Sequence, residues 1–541
     1  MTLNTVLRAT AATLVLGTGA AAFAADPQPG ETLADSQTFA YRLLDEVPTM
    51  DPQLNEDVSG SNVQRDLFEG LMNQDAEGNL VPGVATGYTT SDENRTYVFT
   101  LREDAKWSNG EPVTAGDFVY AWRRAIDPAT ASPYAWFVEM TTMANASKIL
   151  AGELPPEELG VEAVDDHTLK VTLEESIPYF AAMTTTSTLF PAPQAVIEEY
   201  GSEWTRPGNI VSNGAYVLSE HVPNEYHKRV KNPEYWDADN VHITEVTGLV
   251  INDVNQALTR YLAGELDMIE PLPVGQFPEL KEKYPDQATS VPRLCNYYYT
   301  FNMTDTANPA IADERVRRAM SYAIDRDVIV NAVLKGGQAP AYIFTPPFTA
   351  GFDAPAPAYE GMTQKERDAE AVRLIEEAGY GKDNPLTLRL IYNTDENHKK
   401  IATVMAQMWK QKLGISVTMQ NFEWKTFLEI RKNQEFDVAR GAWCGDYNEA
   451  STFLQLMVSD NSQNDGRYAN EQVDALMLES KTMEDPNPNY AEVETILEED
   501  VPVIPVYHYA NVFMLNSAIK GWPYENVENN WYSKDFYKVA E

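Results

Sequence analysis

The sequence predicts an α/β protein of more than one domain. Strand-like and helix-like periodicities alternate along most of it. Its 541 residues exceed what one hydrophobic core supports, which suggests two or three domains. Hydrophobic residues at 43% and aromatic residues at 11% supply ample core, so disorder is a poor reading. No internal repeat or low-complexity tract interrupts the pattern, and no floppy tether is evident. The domains are therefore expected to be joined by strands.

The first residues read as a secretory leader. Arg8 and the α-amine make a positive start, Ala11-Ala-Thr-Leu-Val-Leu-Gly a short apolar core, and Ala22-Phe-Ala24 an A-x-A site before Ala25. The segment is too short to stay as an anchor, and no later run approaches the ~20 apolar residues that span a bilayer. No cysteine lies near the cut, which argues against a lipid anchor. Export allows Cys295 and Cys444, the only two cysteines, to pair; two free buried thiols are the alternative. A bond over that separation would remove on the order of 4–5 kcal/mol of chain entropy from the unfolded state, an upper figure. The net charge of −40, from 81 acidic against 41 basic residues, disfavours nucleic acid or an anionic membrane as partner. It suits a protein kept soluble in high salt, where screening shortens self-repulsion.

From Glu31 the chain reads as a strand, a loop through Pro48-Thr-Met-Asp-Pro52, and a helix over 62–71. Strands at 97–102 and 168–173 alternate with helices such as 115–126, and a further helix is expected over 254–264. From Cys295 the pattern becomes regular: helices over 315–325 and 364–378, a strand over 387–392, and a helix over 398–413. In the last of these, Ile401, Val404, Met405 and Met408 recur near 3.6 spacing. Gly379 fits a helix C-terminal cap.

Two motifs stand out. In Trp107-Ser-Asn-Gly-Glu-Pro-Val-Thr-Ala-Gly-Asp117-Phe118, Asn109-Gly110 makes a tight turn and Thr114 caps a helix with Asp117 three residues on. Its job is structural. Arg440-Gly-Ala-Trp443-Cys444-Gly-Asp446-Tyr447-Asn448-Glu449 follows the strand-like run Phe436-Asp-Val-Ala, so it is expected where an ordered strand runs into a loop. Binding groups collect on such loops. The local alternative is a buried Trp beside a disulfide, with Asp446 capping a turn. Enzyme signatures are missing: there is no H-E-x-x-H, G-x-S-x-G, P-loop, G-x-G-x-x-G or C-x-x-C. His221 and His227, six apart, give only a weak metal hint. Acidic pairs are inevitable in so acidic a chain, so a secreted peptidase or glycosidase stays as a remote alternative.

These motifs, with Pro207-Gly-Asn-Ile-Val-Ser-Asn-Gly-Ala-Tyr216, Asn232-Pro-Glu-Tyr-Trp236, Gly264-Glu-Leu-Asp267, Arg315-Val-Arg-Arg-Ala319 and Ile324-Asp-Arg326, resemble the peptide/nickel class of extracellular solute-binding proteins, family 5. The likeness covers essentially the whole mature chain and lies nearest the periplasmic oligopeptide-binding branch that feeds ABC importers. It implies a bilobal, three-domain fold that closes over its ligand, with two crossing segments as hinge. After a leader at 1–24, cleaved after Ala24, residues 25–68, 194–294 and 511–541 would form lobe 1, 69–193 an inserted domain, and 295–510 lobe 2. The implied function is capture of short peptides in the periplasm, largely independent of sequence, and delivery to permease subunits in the inner membrane, by a monomer without cofactor or metal. Main-chain pairing would give the affinity. The alternative within the family is a paralogue dedicated to murein (cell-wall) peptide.

The resemblance also implies roles. Asp446 matches the carboxylate that pairs with the peptide α-ammonium. Glu56 and Val58 match the pocket segment of the first lobe, and Ala442 and Cys444 the strand that offers backbone groups, with Ala442 where the family has Gly. Tyr134, Tyr298, Trp424, Trp443 and Tyr509 match aromatic walls, for which core packing is the alternative. Arg440, Arg431 and His398 match cations that hold the peptide carboxylate at different lengths, a task suited to the planar guanidinium fork. A family lysine falls on Leu334, with Lys335 adjacent; either a one-residue shift restores that charge or one peptide length is handled poorly. His508 replaces a tyrosine beside Tyr509, which predicts a more polar pocket there.

Overall fold

Two long strands tie the molecule together: Ala288–Phe301 and Val503–Leu515, paired antiparallel. The computed structural model describes residues 27–483 and 485–540; the leader and its Ala22-Phe-Ala24 site lie outside the described residues. Ala288 to Pro292 pair with Met514 to Ala510, and Asn296 to Thr300 pair with His508 to Val503, with the register shifted between the two stretches. Pro292 has no N–H to give to a ladder, which places it where pairing is interrupted. The run Tyr297-Tyr-Tyr-Thr-Phe301 is aromatic and β-branched, and it is buried throughout.

Around these strands an eleven-stranded mixed sheet runs through both lobes. On the first-lobe side Thr38–Leu43 lies parallel to Glu245–Val250, followed outward by Tyr226–Lys231 and Tyr216–Val222. On the other side come Val438–Cys444, Thr387–Asn393 and Ser416–Phe422. Ala85–Ser91, Thr96–Leu101, Thr168–Thr172 and Val161–Asp165 form a separate four-stranded sheet. Helix Ala115–Ile126 lies where the sequence placed it, with the Thr114 and Asp117 capping box closed at 2.7 Å. Gly110 takes φ +89°, as the Asn109-Gly110 turn requires.

Other boundaries moved, each for a local reason. The helix expected over 62–71 is Val58–Leu67, because the Asp57 carboxylate accepts the Gly60 N–H and Phe68 is extended. The helix expected from 398 starts at Glu396, because Asp395 accepts the His398 N–H at 2.9 Å. The strand expected over 436–439 begins at Val438 and continues to Cys444. Asp437 is held ahead of it, accepting the backbone N–H groups of Asn308 and Arg389 at 3.0 and 2.7 Å. Residues 438–444 then pair with Phe301 to Cys295. Arg440 to Cys444 are therefore strand, and the loop begins only at Gly445.

That pairing sets Cys295 opposite Cys444, with their Cα atoms 4.0 Å apart, and the two form a disulfide. The first lobe is braced differently. Arg229 and Asp66, both fully buried, form an ion pair at 2.8 Å that joins the Val58–Leu67 helix to the sheet, and Arg229 also donates to the Tyr41 hydroxyl. Removing one partner of such a pair typically costs about 3–5 kcal/mol.

Candidate functional site

Between the lobes lies a cavity of about 410 Å³. Strand alternation explains one wall: Arg440, Ala442 and Cys444 share a face of Val438–Cys444 that lines it, and Asp446 lies two residues beyond the strand end. All thirteen residues singled out from sequence line this cavity: Glu56, Val58, Tyr134, His398, Trp424, Arg431, Arg440, Ala442, Trp443, Cys444, Asp446, Tyr298 and Tyr509.

Asp446 is lightly held. The Tyr134 hydroxyl donates to its two oxygens at 3.3 and 3.4 Å, both long. Burial pushes its carboxyl up to about 7, partly offset by Tyr134 and the positive charge of Arg65. Its backbone is better anchored, with the N–H donating to Thr452 Oγ1 at 3.0 Å and the carbonyl accepting from Thr186. Tyr134 stacks on Trp443, with ring centroids 6.3 Å apart and planes 10° from parallel. Tyr298 packs edge-on to Phe344 and covers Gly441, where an added Cβ would meet its ring at 2.4 Å.

The three expected cations differ. Arg440 is buried, lies 4.9 Å over the Tyr297 ring and donates to the Tyr509 hydroxyl at 3.0 Å. Its Nε has no partner, and among the described residues no carboxylate lies within ion-pair reach of it. Arg431 is not a solvated surface group: it is buried and paired with Asp465 at 2.5 Å, so its charge is already matched. His398 is no cation here. Burial, and then the charge of Arg440, push its pKa well below the usual imidazole range, and it sits 3.4 Å from the Tyr297 hydroxyl as a neutral ring.

Two other expectations fail, and the weak metal hint finds no support among the described residues. Lys335 is exposed at a left-handed turn and does not line the cavity, so the one-residue shift from Leu334 does not restore the charge. His508 points away from the wall that Tyr507 and Tyr509 form; burial pushes it down to about 3, so it does not make the pocket more polar. His221 and His227 face each other across a hairpin, but His221 contacts Glu46 at 2.7 Å, and no group of three or more metal-binding side chains exists among the described residues.

Sequence reasoning missed several charged wall residues. Arg65 acts on both Asp446 and Glu528, and its own Nε is unpartnered. Glu528 accepts from Gln74 and Asn530 at 2.8 and 3.0 Å, and burial pushes it up to about 7. Arg293 and Glu270 pair at 2.5 Å. Asp45 and Asp395 also line the cavity. Asp395 stood in the Asn393-Thr-Asp-Glu-Asn-His398 block and was readable as the helix cap it is; Glu528 and Arg65 carried no local signal.

Several contacts cross between the lobes. Glu56 takes both its oxygens to Lys432 Nζ at 2.8 and 2.7 Å, Trp424 Nε1 donates to Asp57 at 3.3 Å, and Gln463 reaches Glu56 and the Pro133 carbonyl. Glu56 is therefore engaged with the opposite lobe.

The model of the bacterial extracellular solute-binding proteins, family 5, matches residues 79–465. The periplasmic murein peptide-binding protein MppA of Escherichia coli (strain K12) is 43% identical over 533 residues, 98% of each chain. The periplasmic oligopeptide-binding protein OppA of the same organism is 42% identical over 525 residues, 96% of each chain. The solved structure of the Escherichia coli murein tripeptide-binding protein superposes with a TM-score of 0.92 at 44% identity, covering 94% of this chain and all of that one. A structure of MppA in its unliganded open form reaches 0.69 at 43% identity, over 95% of this chain and 99% of that one. With identity almost equal, the drop reflects lobe arrangement, and the lobes here are not set as in that open form.

Proposed function

The chain belongs to the bacterial extracellular solute-binding proteins of family 5, and we propose that it captures short peptides in the periplasm and passes them to an ABC permease. The carrying observation is a cavity between the lobes with a lightly held carboxylate, Asp446, and a guanidinium without a carboxylate partner, Arg440, on the same strand and loop. A free peptide carries an ammonium at one end and a carboxylate at the other. Burying either without a counter-charge is costly, and these two groups supply both. Six positions separate them, roughly 13–20 Å allowing for the loop. An extended peptide of three to five residues spans roughly 10–18 Å.

The relatives divide between murein peptide and general oligopeptide at nearly equal identity, so a dedicated murein-peptide binder is the second reading. The leader implied by the first 24 residues, and the relatives' periplasmic location, support export. No helix among the described residues is long and apolar enough to cross a membrane. Mass spectrometry of ligand released on denaturing the purified protein tests the proposal. A ladder of mixed short peptides supports general capture, a single species supports the dedicated reading, and non-peptide cargo refutes both.

A further inference from the structure

The cavity wall carries more negative than positive charge. Eight carboxylates line it, against five guanidinium groups and no lysine. Most of the carboxylates are matched: Glu56 by Lys432, Glu270 by Arg293, Glu46 by His221, Asp57 by the Gly60 and Trp424 N–H groups, and Glu528 by two amides. Asp446 awaits the peptide ammonium on the reading above. Asp45 and Asp395 remain.

These two come from opposite lobes. Asp45 follows strand Thr38–Leu43 and accepts one bond, from Asn252 Nδ2 at 2.7 Å. Asp395 follows strand Thr387–Asn393 and is 6% exposed. One of its oxygens takes the His398 N–H, and the other, Oδ2, is buried with no partner. A buried carboxylate oxygen without a donor is expensive. The nearby guanidinium, Arg42, does not supply it: Arg42 gives its N–H groups to the carbonyls of Ile251, Glu270 and Asn252 at 2.8, 3.2 and 3.0 Å. His398, the nearest ring, is 3.9 Å from the other oxygen and held neutral. Asp45 and Asp395 are thus like charges on the two walls, with Glu423 a third and Arg42 the cation beside them; burial, and then Glu423 and Asp395, raise Asp45 to about 6, partly offset by Asn252 and Arg42.

We infer that Asp45 and Asp395 form a second cation subsite, which takes the ammonium or guanidinium of a basic side chain in the bound peptide. The inference rests on the peptide-capture reading. It adds that closure is easiest on a ligand with one positive charge more than a neutral zwitterion, because that charge relieves repulsion between the lobes. A metal ion is a poor occupant, since the described residues hold no group of three ligands for one.

The test is titration calorimetry with trialanine peptides in which each position in turn is lysine or its uncharged counterpart norleucine. At one position at least, the lysine form should bind the wild-type protein about tenfold or more tightly. The double variant Asp45→Asn, Asp395→Asn should bring that ratio to about one; asparagine keeps the helix cap, so folding should survive. Equal binding of lysine and norleucine at every position in the wild type would overturn the inference while leaving peptide capture intact. So would a preference undiminished in the double variant. Failure of every one of these peptides to bind would overturn general peptide capture and this subsite with it.

Discussion

Asp446→Asn isolates the charge proposed to receive the peptide α-ammonium. The substitution keeps the shape and the Tyr134 contact but removes the anion. By the protein's own groups the ionised carboxylate is poorly served, with one hydroxyl at 3.3 Å and burial lifting its pKa from 3.8 to about 7. That rise corresponds to about 4 kcal/mol against the ionised form, a ceiling on what a matching ammonium recovers. Breaking such a pair by removing one partner costs about 3–5 kcal/mol, so affinity for a free peptide should fall by roughly two to three and a half decades. Calorimetry should pair the free peptide with its N-acetylated form, which has no ammonium and should bind both proteins weakly. The same charge sets a pH dependence. The peptide selects the ionised carboxylate, so wild-type affinity should weaken as pH falls below about 7, and the variant's should not. Equal affinity of wild type and variant for the free peptide would refute the assignment and leave Asp446 as a turn residue.

At the other end, Arg440→Met should weaken free peptides at least tenfold but leave C-amidated peptides nearly unchanged; an equal loss for both forms would mean that Arg440 serves packing instead. The unfolded, unreduced protein should show no free thiol, and reduction should destabilise it by up to about 4–5 kcal/mol; two titratable thiols before reduction would contradict the Cys295–Cys444 bond. Without ligand, the melting temperature should rise as pH is lowered from 8 to about 5. Asp446, Glu528, Asp45 and Asp57 all have folded pKa values raised by burial, so their contribution is full below their unfolded values and lost as pH climbs through 6–7. A flat or falling melting curve over that window would count against those burials.

Much of this was legible because it is local. The Thr114 and Asp117 cap needs only a four-residue window, and the wall made by Arg440, Ala442 and Cys444 follows from strand alternation once the strand is recognised. What stayed hidden depends on partners brought from far along the chain. Whether Arg431 is free or paired is decided by Asp465, and whether His398 is charged by the burial and the Arg440 side chain that the fold places beside it. Glu528 meets Gln74 across 454 positions. Strand ends shifted for the same reason: Val438–Cys444 is extended by the aromatic partner Tyr297–Phe301, which no window around residue 440 contains.

The cystine has a consequence for the order of events. It staples Ala288–Phe301 to Val438–Cys444 three residues past Pro292, where the pairing of the two long strands changes register. The staple makes the two bonded strands one plate. Arg440 and Asp446 both ride on that plate, whereas Tyr134, Glu56 and Asp57 ride on the other. On the peptide-capture proposal, both ends of a peptide would then be gripped by one lobe before the second wall arrives. Shutting would add the second wall and expel water around contacts already made, so charge recognition would govern arrival and closure would govern residence.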